Sequence, residues 1–346
     1  MAQPVAPGEL GSWRGENVRL SQVIGALGEL RRGGQRTATR ASVTNLVVVA
    51  ADDDEVARAC DAVHRLGRRH PGRNIVVLPR PGARPDGIDA SVLLHGSVAE
   101  GRPVWSEDIR LQVRGAPAEH LASLVEPLTL PDLPLAAWFV GGVPEPGDAL
   151  VRAADSVVVD SETLGGDALA AGVAALDRLA RRRVALDLCW ARLLPLRQLL
   201  AAQFDAPAVA PYARRVHRAE VGGPPAARLL LAGWLVARLG LAPSAVSLSD
   251  APSPAVRLAA GAAGDAAEVA VEEVGAAAGG AVRATARLAG AAARQDRLAL
   301  PDDPLAWSLG EALTRRGRDR VYGQALHAAV DLVAPAAGPD AVGRRS

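Results

Sequence analysis

The sequence contains no lysine: all 39 of its basic residues are arginine. That absence removes the lysine of a P-loop and every mechanism built on a Schiff base or a lysine general base. Aromatic residues make up only 3% of the chain, with six Trp against two Tyr and two Phe. The formal net charge is +1 and neither half carries a strong field of one sign. The basic stripe interleaved with aromatics that marks a nucleic-acid binder is therefore missing, and no nucleic-acid partner is expected. Cys60 and Cys189 are the only cysteines. Both sit in apolar-periodic segments, far apart, and read as small core residues of a reducing compartment. No apolar run reaches the roughly eighteen residues of a membrane span. No charged-then-apolar segment opens the chain, so neither membrane nor signal peptide is expected and the compartment reads as cytoplasm.

The motifs of catalysis are equally scarce. The first strong strand is followed by Asp52-Asp53-Asp54-Glu55 where a dinucleotide fold carries G-x-G-x-x-G. Four carboxylates there repel phosphate and read as the cap and first turn of a helix. The six His, including His64 and His70, offer no i,i+4 ligand pair, and no Gly-x-Ser-x-Gly elbow occurs. No catalytic residue, cofactor or metal site is therefore assigned.

What is present is an α/β pattern. With 346 residues, two domains are the natural division. A helix is predicted from Val18 to Leu30, then a strand from Ser42 to Ala50, a helix carrying Val56, Cys60, Val63 and Leu66, and a strand from Asn74 to Leu78. That βαβ unit implies a parallel pair. Period-two alternation on either side of Gly101-Arg102-Pro103 predicts a hairpin and hence a mixed sheet. Further strands are predicted at Leu135–Val140, Ser156–Val159 and Val184–Leu188, the last followed by one helix from Trp190 to Phe204. The first sixteen residues look aperiodic and frayed. Proline and alanine around Pro207 to Pro211 mark a linker. The expected domains are residues 17–206, a mixed sheet with flanking helices, and residues 212–334, a smaller α+β domain with strands near Val216–Val221, Val256–Ala260, Glu268–Val274 and Val282–Leu288.

Three segments stand out. By strand parity Glu107 shares the apolar side of its strand with Trp105, Ile109 and Leu111, so it needs a partner. An ion pair with an arginine fits, Arg73 being the best placed. Trp138-Phe139, at the end of a buried strand, reads either as core or as an anchor for a partner. Trp190, with Arg192 and Arg197, reads either as a solvated face or as a fork for carboxylates on another chain.

Several short stretches follow one another in a distinctive order. They are Arg40 to Val49 (RASVTNLVVV), His70-Pro71-Gly72-Arg73, Ser106-Glu107, Leu128 to Pro134 (LTLPDLP), Trp138, Asp155 to Ser161 (DSVVVDS), and Asp187 through Trp190, Arg192, Pro195 and Arg197. In this order and spacing they resemble the glucose-6-phosphate dehydrogenase assembly protein family, OpcA, of actinobacteria and cyanobacteria, over roughly residues 17 to 334. The resemblance implies a non-catalytic protein that binds glucose-6-phosphate dehydrogenase and promotes its active oligomer in the oxidative pentose phosphate pathway. The most distinctive of these stretches lie in the first domain, where Trp138, Phe139, Trp190, Arg192 and Arg197 are the candidates for partner binding, because aromatic and arginine side chains dominate interface hot spots. The sequence departs from the family pattern at Trp105, Phe139 and Leu196. The thioredoxin control attributed to cysteines of some cyanobacterial relatives has no counterpart in Cys60 and Cys189. The competing reading is a sugar-phosphate-binding protein or enzyme that uses arginine clusters on an α/β scaffold.

Overall fold

The computed structural model describes residues 8–34, 43–66, 72–99, 102–275, 280–315 and 317–333. Arg40 to Ser42, His70, Pro71 and Gly101 lie outside them. The elements run β1 Gly8–Gly15, α1 Leu20–Gly34, β2 Asn45–Val49, α2 Asp53–Leu66, β3 Arg73–Arg80, β4 Gly87–Ala99, β5 Arg102–Arg114, α3 Leu121–Val125, β6 Leu135–Phe139 and α4 Ala149–Ala153. They continue with β7 Ser156–Val159, α5 Ala168–Arg182, β8 Ala185–Asp187, α6 Leu188–Arg192, α7 Leu194–Gln203, β9 Val216–Gly223 and α8 Pro225–Leu239. The last are β10 Val246–Asp250, β11 Ala255–Ala262, β12 Asp265–Val274, β13 Ala281–Leu288, β14 Arg294–Ala299, α9 Pro304–Thr314 and α10 Arg320–Val333.

Packing divides the chain into two compact units. One comprises Met1–Thr163, Arg182–Ala191 and Asp303–Arg318; the other comprises Leu164–Arg181, Arg192–Asp302 and Asp319–Ser346. This grouping follows contact rather than position along the chain, whereas the sequence expectation of 17–206 and 212–334 cuts it into consecutive pieces.

The first unit is built on an eight-stranded mixed sheet in the order β1-β4-β5-β3-β2-β6-β7-β8. Strands β5, β3, β2, β6, β7 and β8 run parallel to one another. β4 is antiparallel to β5, and β1 to β4. Because a strand's side chains alternate, the buried apolar runs serve two cores at once. On one face Val47, Ile75, Val77, Ile109, Leu111 and Ala137 join Val23 and Leu27 of α1. On the other face Leu46, Val48, Val76 and Trp138 join Ala59, Val63 and Leu66 of α2 and Leu309 of α9. Local signals set the ends of elements. Asp148 caps α4 by accepting from the amides of Leu150 and Val151, and Asp303 caps α9 through Ala306.

The second unit has a six-stranded sheet in the order β10-β9-β11-β12-β13-β14, antiparallel except for the β9–β10 pair. Helices α7 and α8 lie along its strands and α10 packs on α8. Gly233 makes that helix pair possible. A β-carbon there would run into the Ala325 carbonyl oxygen and come within 2.8 Å of the Ala329 nitrogen.

Three strands escaped the sequence reading. β1 falls in the segment expected to fray, and β10 and β14 lie where no element is expected. Each is the edge of a sheet. An edge strand bonds on one side only and buries less, so it lacks the apolar alternation that reveals an internal strand. The single helix expected from Trp190 to Phe204 is two, α6 and α7. Pro195 has no N–H to give the Ala191 carbonyl, and the chain breaks just before it.

Gly25 of α1 and Gly233 of α8 provide opposite tests of helix packing. A β-carbon at Gly25 meets nothing within 4 Å. Gly25→Ala should stabilise the protein by about 0.5–1 kcal/mol. Gly233→Ala should destabilise it by about 1–3 kcal/mol despite its better helix propensity. Urea denaturation midpoints of the two variants, moving in opposite directions, check both.

Candidate functional site at the amino ends of the first sheet

Four of the sequence motifs converge where β2, β3 and β6 begin, beside the middle of β5. Asn45, buried at the start of β2, donates from Nδ2 to the carbonyls of Leu130 (2.9 Å) and Leu133 (3.2 Å). Its Oδ1 accepts from the Leu130 amide at 2.7 Å. Thr44 donates its hydroxyl to the Pro134 carbonyl at 3.1 Å, and the Asn45 amide reaches the same oxygen at 2.8 Å. One asparagine therefore holds both ends of the Leu130–Pro134 turn, in which Asp132 adopts φ 68°. Gly72 completes the seam: a β-carbon there would lie 2.8 Å from the Thr44 carbonyl oxygen.

Glu107 lies under this seam, only 2% exposed, directly opposite Arg73 in the β3–β5 register. Arg73 donates from Nε to Oε2 at 2.7 Å, and its Nη2 is 2.6 Å from the same oxygen, a charge contact outside hydrogen-bond direction. Arg73 Nη1 donates to the Leu128 carbonyl at 2.5 Å, tying β3 to the turn. A second arginine, Arg31 of α1, forks onto both carboxylate oxygens, Nε to Oε1 at 2.6 Å and Nη2 to Oε2 at 2.9 Å. Its side chain keeps 24% of its surface, so the excess positive charge of the Arg–Glu–Arg triad remains partly hydrated.

Beside the seam is a cavity of about 510 Å³ lined by Thr44, Pro134, Asp155, Ser156, Thr314 and Arg315, among others. Asp155, from the DSVVVDS motif, accepts the Leu135 amide at 2.8 Å. The motif's other end lies at the opposite end of the sheet. There the buried Asp187 accepts from the amides of Ser161 and Cys189, each at 3.0 Å.

In open α/β sheets, cofactors bind where the strand order reverses, at the carboxyl ends. Here that point is between β2 and β6, and it is filled by Glu55. The Glu55 carboxylate accepts the Ala51 amide at 2.7 Å, taking a donor that a phosphate would need. It also fills the space above Gly141 (φ 80°), where a β-carbon would collide with its Oε1. Asp52 accepts the Glu55 amide at 2.8 Å and uses a second donor of the same turn. This arrangement is a self-capped helix rather than a phosphate cradle.

A polar cluster on the α2 side of the sheet was not read from the sequence. His95 Nε2 and Asp108 Oδ2 lie 2.6 Å apart, Asn74 donates to Asp108 Oδ1 at 2.7 Å, and the His64 ring centroid is 4.9 Å from that of His95. Its signal is the hairpin register, which sets His95 across from Ser106 and so next to Asp108. Nearby Cys60 is half-buried rather than core, and burial pushes its thiol up against the pull of Arg110. Among the described residues, no group of three or more His, Cys, Asp and Glu is arranged to hold a metal ion, and no helix is long and apolar enough to cross a membrane.

The residues nominated for partner binding are dispersed in burial. Trp138 (2% exposed) is packed with Leu46, Val48 and Val63, and Phe139, the next residue, faces the other core and is half-buried. Trp190 and Arg197 are buried, and Arg192 is half-buried. Among the described residues the buried Nε1 atoms of Trp138 and Trp105 have no hydrogen-bond partner, so both indoles act by filling volume.

Comparison with known proteins adds family information. Residues 63–181 match a family model described as "Glucose-6-phosphate dehydrogenase subunit N-terminal domain", and residues 183–326 match its companion, the C-terminal domain. Over 185 residues the chain is 27% identical to a protein of Nostoc punctiforme named "Putative OxPP cycle protein OpcA". That match covers 50% of this chain and only 39% of the relative's length. A solved structure, the transcriptional regulator Gal80p from Kluyveromyces lactis, superimposes with a TM-score of 0.44 at 8% identity, over 84% of this chain and 88% of the other.

Two measurements probe the local chemistry. Glu107→Ala leaves two arginines facing each other with Arg73 buried, and should cost about 3–5 kcal/mol. Arg31→Ala should cost clearly less, because Arg31 is partly solvated and the inner pair survives; denaturant titration of both variants orders them. The Cys60 thiol should react with a thiol reagent at neutral pH more slowly than a free cysteine, since only the thiolate attacks. A rate equal to that of free cysteine would count against the assigned protonation.

Proposed function

The chain belongs to the OpcA family of glucose-6-phosphate dehydrogenase assembly proteins, and from that premise we propose that it binds the dehydrogenase and promotes its active oligomer without catalysing a step itself. The observation that carries the non-catalytic reading is Glu55. It sits where this class of sheet would take a cofactor and uses the donors that a phosphate would require. The protein then acts in the oxidative pentose phosphate pathway, in the cytoplasm, with the dehydrogenase as its partner.

Within this reading Phe139 of the first unit and Arg192 of the second are contact residues, because each keeps part of its surface in solvent. Trp138, Trp190 and Arg197 are buried and support the fold of their own units. Aromatic and arginine side chains dominate interface energetics once desolvated, which suits this division.

Purified dehydrogenase assayed with and without the chain tests the proposal. Addition should raise dehydrogenase activity and shift the enzyme to a larger assembly, and the chain alone should give no turnover. An unchanged activity and mass would refute it. Arg192→Ala should weaken binding by about 1–2 kcal/mol. Trp138→Ala should instead lower stability by about 3–5 kcal/mol. A sugar phosphate that raises the melting temperature of the isolated chain would favour the ligand-binding alternative, with the 510 Å³ cavity and its Arg315 as the place to look.

A further inference from the structure

The two sheets have four edges, and three of them carry features that discourage another strand from adding on. β1 contains Gly8, Gly11 and Gly15 and a register shift between Glu9 and Gly11. β8 has only three residues. β14 carries Arg294, Asp296 and Arg297 among its six. Irregular register, shortness and charge are the devices by which folded proteins blunt their edges.

The fourth edge has no register shift, and its single charge stands at its last residue. β10, Val246-Ser247-Leu248-Ser249-Asp250, pairs with β9 in five consecutive steps without a shift. It contains no glycine, proline or basic residue. Its one charge, Asp250, is held by Arg228. The sheet ends at this strand, and among the described residues no hydrogen bond reaches its outer side. Leu248 stands opposite the buried Val221, on the apolar side of the sheet, yet is 38% exposed. A regular edge whose single charge lies at its end, with an exposed leucine at its centre, is a template for strand addition.

We propose that this edge pairs with the same edge of a second copy of the chain, β10 running antiparallel to its counterpart about a two-fold axis at Leu248. The strand's own sequence selects that occupant. Around its centre it reads Ser-Leu-Ser, so antiparallel pairing sets Leu248 against Leu248 of the second copy and Ser247 against its Ser249. At the ends Val246 meets Asp250. No like charges face each other, and directly opposed like charges are what would penalise such a ladder. Each Leu248 loses its exposed surface to the other. A two-fold closes the assembly. The joined sheet then ends on β14 at both sides, the charged edge.

The pairing needs no dehydrogenase, so it is tested on the full chain alone. Sedimentation equilibrium should give twice the 35.6 kDa monomer mass. Leu248→Lys and Leu248→Glu each oppose like charges across the axis, and each should run at the monomer mass with the parent's far-UV circular dichroism. Mixed in equal amounts they should recover the dimer mass, because lysine then faces glutamate. A double variant at the flanking exposed positions, Ser247→Lys with Ser249→Glu, forms two complementary pairs and should tighten the dimer at least several-fold. A parent at the monomer mass overturns the proposal. So do charged variants that stay dimeric, and a mixture that stays monomeric.

Discussion

The first unit depends on how one buried carboxylate is neutralised. Glu107 sits on a strand whose neighbouring inward positions are Trp105, Ile109 and Leu111, and it is almost without solvent. A bare charge there would be prohibitive, so the fold must deliver cations to it from elsewhere. It delivers two: Arg73 from the adjacent strand and Arg31 from the helix above. Arg73 also holds the Leu128 carbonyl, and the turn that follows is held by Asn45. Helix α1, strands β2, β3 and β5 and the turn before β6 are thus coupled through one group. The length of the arginine side chain matters here, since its planar fork can satisfy two oxygens at once.

The same economy of charge is visible at the crevice where an open α/β sheet usually takes a cofactor. The donors at the start of α2 are already used by Glu55 and Asp52 of the chain itself. A fold does not specify a function; the side chains at its crevice do. Here those side chains occupy the crevice, and four of the segments that carry the family resemblance gather instead near the amino ends of β2, β3 and β6. Their hydrogen bonds run mainly to backbone carbonyls and amides, which is the work of a rigid scaffold.

Burial changes what the tryptophans mean. Scarce aromatics in an alanine-rich chain invite a reading as interface anchors. Trp138 instead fills the core between the sheet and α2, and its adjacent residue Phe139 turns to the other face, as strand alternation requires. The unbonded indole N–H groups of Trp105 and Trp138 are tolerated because the apolar surface each ring buries outweighs a lost hydrogen bond.

Sequence by itself determined the local and periodic features: the parallel βαβ core, the hairpin that makes the sheet mixed, the helix caps, and the placement of Glu107 on an apolar face. Each is written in neighbouring residues, through side-chain alternation, capping chemistry or turn composition. Tertiary structure alone decided what depends on distant residues meeting. Arg31 reaches Glu107 across 76 positions of sequence, and Asn45 reaches Leu130 across 85. His95 meets Asp108 only because the hairpin register aligns their strands. The edge strands β1, β10 and β14 belong to the same class. Their pairing is set by the backbone of a neighbour rather than by an apolar pattern of their own, so nothing in their side chains announces it.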